Sequence, residues 1–430
     1  MILFYSDTIT ERIKYVVHFI LKEQMGIDVE ITSDYSYCEQ SSSFIINYSS
    51  SVFQKNTFNI LPHGLLNETN IVEQEINCIN QHNYNSFFQI ENSHFSFDVF
   101  AGVFYLISRY EEYLPHQKDE YGRYAHTNSI AYKQEFLNRP IVNIWIDEFS
   151  KAIQKHWPSL EIVKPFFSSI ITHDIDMAWS FKHKGILRNI GGFLKQPSVN
   201  RLLVLLRVKK DPFDSYGFIN EKIKNKRIRS LFFFLFARKV SDYDKNISPK
   251  NCAFKKLIVN TSRKHTLGIH PSWQSNFKDK LMKHEKIKLE IITEQYITNS
   301  RQHYIKFSLP DTYQELIKAG ILNEFSMGYG SINGFRASVA SSFFWYDLSK
   351  EEITSLRVYP FCFMDANSHY EQRQSIVQSQ QELVYYYETI KKCKGLFIPI
   401  FHNNFLGTNK EFKGWKEIYT QLIDTIHENQ

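Results

Sequence analysis

From Met1 to about Gly26 the pattern of apolar and polar positions predicts a short strand and then an amphipathic helix, with Ile13, Val16, Val17, Ile20 and Leu21 on one face. Through about residue 90, Ser/Asn/Gln-rich segments alternate with short apolar strands such as Phe44-Ile45-Ile46-Asn47. Asp98 to Tyr113 predicts a helix, apolar in its first half, with Arg109, Glu111 and Glu112 at its polar end. A buried Arg–Glu pairing that locks the domain is the reading those three residues favour. A loop over Asp119–Tyr124 and a second helix, Ile141 to His156, complete this part before Pro158. A boundary near residue 160 gives a smaller α/β domain over 1–160 and a larger one over 161–430.

Beyond that boundary the apolar runs end in polar residues. Ser169-Ile170-Ile171-Thr172-His173-Asp174-Ile175-Asp176 reads as a buried strand with its acids at the carboxyl end, where α/β folds place their ligands. Residues i and i+2 of a strand share a face, so Asp174 and Asp176 would look into one site. Two carboxylates that close call for a cation or a shared proton, a metal on one and base duty on the other, unless the pair only caps the next helix. Leu231 to Phe236, apolar on both faces, belongs in the middle of a parallel sheet, and the next strand ends in Gly268-Ile269-His270. Ile297 to Tyr304 reads as another strand, carrying Arg301 and His303 on one side, and Gly395 to His402 as the last. Gly334-Phe335-Arg336 and the run from Val358 to Asp365 repeat the pattern. Strands alternating with helices indicate a wound or barrel-like α/β domain. The stretch from Lys182 to Gly192 reads as polar and glycine-containing.

Composition removes several alternatives. With 430 residues, 43% hydrophobic and 16% aromatic, the chain is globular. A net charge of +6, spread in short runs such as Glu221–Arg229, argues against nucleic-acid binding. The five cysteines are scattered and form no CxxC pair, so neither a disulfide framework nor a thiolate zinc site is expected. No run approaches the roughly 20 apolar residues of a membrane span. The N-terminus lacks the pattern of a secretory signal, so a cytoplasmic location is expected.

The series Thr172-His173-Asp174-Ile175-Asp176, Gly268-Ile269-His270-Pro271-Ser272, Ser300-Arg301-Gln302-His303, Gly334-Phe335-Arg336 and Phe401-His402-Asn403 resembles the ordered motifs of the NodB-like polysaccharide deacetylases. Arg109-Tyr110-Glu111-Glu112-Tyr113 and Asp119–Arg123 are similar to the signature of an N-terminal domain of unknown function found ahead of some bacterial members. The resemblance implies a distorted (β/α)7 barrel over 161–430 and removal of acetyl groups from an N-acetylated sugar or glycan with a divalent metal, usually zinc. It further implies Asp174 as general base, Asp176 and His270 as metal ligands, Arg301 as the residue orienting the base and His402 as general acid.

Three departures stand out. Ile175 separates aspartates that are adjacent in the family, Gln274 occupies the place of its second histidine, and Glu324 replaces an aspartate. His303 is then the candidate third ligand, with His173 behind it. The alternative to an enzyme is an inactive glycan-binding or scaffolding protein that keeps the fold. Trp179, Trp273, Tyr304, Phe335 and Trp345 are read first as core packing, and otherwise as a sugar-stacking groove.

Overall fold

The computed structural model describes residues 1–81, 84–195, 197–278 and 280–429. Three strands near the N-terminus and a two-residue fourth, β1 (Ile2–Tyr5), β2 (Val29–Thr32), β3 (Phe44–Asn47) and β4 (Phe58–Asn59), form a parallel sheet in the order β2-β1-β3-β4. β1 is buried along its whole length, which suits its unbroken apolar sequence. Glu11–Val17 is the predicted amphipathic helix, started by Thr10, whose side chain accepts from the Ile13 amide, and continued as a wider turn over His18–Gln24. A small antiparallel hairpin, β5 (Ile79–Gln81) and β6 (Tyr84–Ser86), precedes the helix Val99–Ile107. That helix is shorter than the sequence suggests: Arg109 adopts a left-handed conformation and starts a tight turn over Tyr110–Glu112. Helix Ile141–His156 falls where its apolar period places it.

The remaining strands are β7 (Ser168–Ile175), β8 (Arg229–Leu235), β9 (Thr266–His270), β10 (Asn299–Ser300), β11 (Asn323–Glu324), β12 (Phe343–Asp347), β13 (Glu352–Val358), β14 (Phe363–Met364), β15 (Leu396–Phe397) and β16 (Pro399–His402). They form one sheet in the order β12-β13-β11-β10-β9-β8-β7-β16-β14, with β15 also on β7. All pairings are parallel except β12 with β13. The expected barrel is not closed by strand pairing: β13 and β14 do not bond each other among the described residues. Loop bonds stand in the gap instead, Phe361 N–H to the Met327 carbonyl (3.1 Å) and Gly334 N–H to that of Cys362 (2.9 Å).

β8 lies at the centre as its sequence predicts, every residue from Ser230 to Leu235 buried. Gly268 lets β9 approach it, since a Cβ there would stand 2.4 Å from the Phe233 ring. The register pairs Asp174 with Phe233 and His402 with Asp174, and Leu235 with His270, which aligns the polar strand ends at one edge of the sheet. Beyond Ser300 the predicted strand stops. His303–Ile305 is a tight turn with Tyr304 at φ 59°, so His303 owes its direction to the turn and not to a period of two. No helix among the described residues is long and apolar enough to cross a membrane.

Candidate active site

Five side chains from the carboxyl ends of β7, β9, β10 and β16 meet at one end of the sheet. Asp174 is the penultimate residue of β7 and Asp176 follows it, both turned toward His270 at the end of β9. Asp176 Oδ1 lies 3.2 Å from His270 Nε2 and 3.7 Å from His303 Nε2, while Asp176 Oδ2 lies 3.7 Å from His402 Nε2. Asp174 Oδ2 is 3.8 Å from His270 Nε2, and Asp174 Oδ1 is bonded by Arg301 Nη1 at 2.8 Å.

Each histidine is aimed by a partner on its other nitrogen. His270 Nδ1 donates to the Arg301 carbonyl (2.5 Å), His303 Nδ1 to Asp244 Oδ1 (3.1 Å) and His402 Nδ1 to Asp365 Oδ1 (2.6 Å). That leaves the three Nε2 atoms facing inward, the usual arrangement of an imidazole that binds a metal or moves a proton. Arg301 is wholly buried over the Phe233 ring, 4.5 Å to its centre, and also bonds Thr172 Oγ1 and the Phe325 carbonyl.

The electrostatics follow from this packing. Burial works to raise the Asp176 carboxyl, but His303, His270 and His402 hold it well below the usual carboxylate range. Burial lowers His303 while Asp176 and Asp244 raise it to about 9, and Asp365 and Asp176 likewise lift His402 to about 10 against burial. The pull that keeps a proton on His303 is the pull that would hold a cation.

Asp176, His270 and His303 bring their ligand atoms within 4.8 Å of one another, the one such group of three among the described residues. Asp176 Oδ1 is buried and accepts no hydrogen bond despite its two imidazole neighbours. An orphaned carboxylate oxygen facing two imidazole nitrogens fits a divalent ion with nitrogen and oxygen ligands. His173 is not part of the group: its Nε2 meets the Tyr419 hydroxyl (3.0 Å), its ring stacks on Phe232, and burial pushes it down to about 3. Arg336 is also elsewhere, paired with Glu112 at 2.6 Å.

The cavity over this cluster has a volume of about 440 Å³, within the range of small-molecule sites. Tyr304 lines it, whereas Phe335 and Trp345 are core. One wall comes from the N-terminal part, through Tyr121 and Arg123. Arg123 bonds Asp119 (2.6 Å) and the Tyr304 carbonyl (2.8 Å), and a Cβ at Gly330 would lie 2.0 Å from its Nη1. A larger cavity, about 940 Å³, opens at the amino ends of the strands. It holds none of the five converging groups, and its His265 is satisfied by Ser230 Oγ and Asn220 Oδ1, both at 2.6 Å.

Asp244 and Asp365, which hold His303 and His402, have no role in the reading of the sequence. Asp365 directly follows a strand, β14, at the end of a run that the strand-end pattern includes; Asp244 sits in an aperiodic loop and gives no signal.

Comparison with known proteins adds likenesses of two kinds. Residues 2–158 match a family described as of unknown function, DUF7033. No protein of curated function matches the sequence. Among solved structures, a candidate polysaccharide deacetylase from Mycobacterium smegmatis is similar with TM-score 0.40 and 10% identity, over 61% of this chain and 86% of that one. The polysaccharide deacetylase Bc1974 from Bacillus cereus is similar with TM-score 0.31 and 9% identity, over 61% and 88%. BA3943 from Bacillus anthracis, described as a CE4 family pseudoenzyme, is similar with TM-score 0.31 and 12% identity, over 60% and 62%.

Proposed function

We propose that this chain is a metal-dependent hydrolase that removes the acetyl group from an N-acetylated sugar or glycan intermediate. The observation that carries the reading is the convergence of Asp176, His270 and His303 within 4.8 Å, with Asp174 on one side and His402 on the other. The division into a 1–160 domain and a 161–430 domain, with the site in the second, belongs to the same proposal.

A divalent ion bound by those three residues would polarise the amide carbonyl and acidify a water. Asp174 is the base that takes the proton from the attacking water. Arg301 holds its Oδ1, so that Oδ2 stays directed at the ligand cluster. His402 delivers a proton through Nε2 to the departing amine, and Asp365 keeps Nδ1 protonated and the ring in place. The C–N bond breaks, the new C–O bond forms, and the products are acetate and a free amino sugar.

Gln274 favours a second reading, a glycan-binding protein without turnover. Gln274 is not among the residues lining the cavity, and His303 supplies a nitrogen to the cluster in its absence.

The test is metal content, as purified and after loading with zinc, together with acetate release from N-acetylated sugars. About one metal per chain, lost in Asp176→Ala, His270→Ala and His303→Ala, is expected. Asp174→Asn should keep its metal and release acetate roughly 10²- to 10⁴-fold more slowly. Metal bound but no acetate released by the native chain would favour the binding protein. No metal under any loading would overturn the hydrolase.

A further inference from the structure

The stretch that follows Asp176 and reads as polar in sequence is, in the structure, a pair of helices with an uncovered apolar face. In helix Ile186–Lys195 the apolar residues Ile186, Leu187, Ile190, Phe193 and Leu194 recur at helical spacing. None of its residues is buried: Ile186 is 78% exposed, Leu187 86% and Leu194 77%. Helix Val199–Leu205 and the turn after it repeat the arrangement, with Val199 73% and Leu206 72% exposed and only Val204 buried. A monomeric soluble protein rarely leaves so continuous an apolar surface in water.

Along the excursion itself the charge is of one sign, with Asp211 and Asp214 following at its base, Asp214 3.9 Å from Lys210. The 34 residues from Met177 to Lys210 hold five Lys and three Arg, and no Asp or Glu. Burial and the neighbouring Arg188 already push the Lys184 ammonium down to about 8, a crowding that an anion would relieve. Exposed apolar side chains flanked by an excess of cations match a lipid surface with negative headgroups, where the apolar face enters the acyl boundary and the cations meet phosphate. A protein partner would have to bring both an apolar groove and a large acidic surplus.

The helices are held as a unit on a fixed base. Asp211 accepts from the amides of Ser180 (2.7 Å), Phe181 (2.9 Å) and Lys182 (2.9 Å), tying the two ends of the excursion together. Arg188 donates to the carbonyls of Asn246 (3.2 Å) and Lys245 (3.1 Å), next to the Asp244 that orients His303. The apolar face therefore sits at the end of the sheet that bears the metal-ligand cluster.

We propose that the helices Ile186–Lys195 and Val199–Leu205 dock the protein onto an anionic lipid surface, lying in the interface without spanning it. This surface is independent of the hydrolase reading, since none of its residues lines the cavity over the Asp176 cluster.

The experiment is sedimentation of the full chain with vesicles of phosphatidylcholine alone or of an equal mixture of phosphatidylcholine and phosphatidylglycerol. The protein should pellet with the mixed vesicles, and raising the salt should release part of it. Leu187→Glu/Leu194→Glu should weaken that binding by about tenfold or more, and Lys209→Glu/Lys210→Glu should do so to a smaller degree. All four positions are exposed, so the variants should melt at the temperature of the native chain. A native chain that stays in the supernatant with both vesicles overturns the proposal. So does a native dimer that Leu187→Glu/Leu194→Glu turns into a monomer, which would make the face a contact between copies.

Discussion

At the scale of single residues, the site depends on groups that do not touch the ligand cluster. Asp365 receives both the backbone amide of His402 (2.7 Å) and its Nδ1 (2.6 Å), so one carboxylate fixes the ring's position and its tautomer. Asp365→Asn should lower kcat for acetate release on the order of 10²-fold, with KM and metal content close to native values. A change in KM alone would assign Asp365 to substrate binding. Glu285 is a second such group: buried beneath Ser272, it accepts from that residue's amide (2.9 Å) and hydroxyl (2.7 Å). Burial raises its carboxyl from the ordinary 4.5 to about 7 against those two bonds. A raised carboxyl favours the folded state while it is protonated, so its contribution is full below pH 4.5 and fades as the pH rises through about 7. Glu285→Gln should therefore gain stability relative to the native chain between those limits, by up to about 3 kcal/mol, read from denaturant melts at acid and neutral pH.

At the scale of elements, β9 shows how narrowly the site is set. Because a Cβ at position 268 would stand 2.4 Å from the Phe233 ring, Gly268→Ala should force β8 and β9 apart. The expected cost is about 1–3 kcal/mol, with a loss of metal affinity as His270 is carried away from Asp176. Unchanged stability would mean that the ring can rotate aside. The same element-level view explains what could be read from the chain alone. Asp174, Asp176, His270 and His402 are legible as a set because each lies at or just past the carboxyl end of a largely apolar run, and a parallel sheet collects its strand ends at one edge. His303 was named for a geometry it does not have, because a two-residue strand and a tight turn replaced the expected long strand. Asp244 was invisible, since its bond to His303 spans 59 positions and its loop has no period. The helix at Ile186–Lys195 was hidden by Gly191 and Gly192, although its apolar residues keep helical spacing. The resemblance implies a closed barrel, whereas among the described residues the sheet has β12 and β14 at its edges and loop bonds stand between β13 and β14.

For the whole molecule, the two parts of the chain share one hydrophobic core, running from Ile2 and Phe4 to Ile423 and Ile426. Buried charges cross between them. Glu112 binds Arg109 at 2.8 Å on its own side and Arg336 at 2.6 Å on the other, while Arg12 reaches Glu351 at 2.5 Å. The arginines lower the Glu112 carboxyl to about 2 although burial opposes them. Glu112→Ala would leave two buried guanidinium groups without their shared partner, at a cost of about 3–5 kcal/mol. Calorimetry should show a single transition, moved down as one. Two separate transitions, with only the first displaced, would mean that the parts unfold independently. The wall that Tyr121 and Arg123 lend to the cavity carries the same coupling into the site. Arg123 can lie against Gly330 only while that position lacks a side chain. The two positions, 207 apart in sequence, are tied by that contact: a side chain at 330 would have to push the guanidinium of Arg123 aside, and with it one side of the cavity.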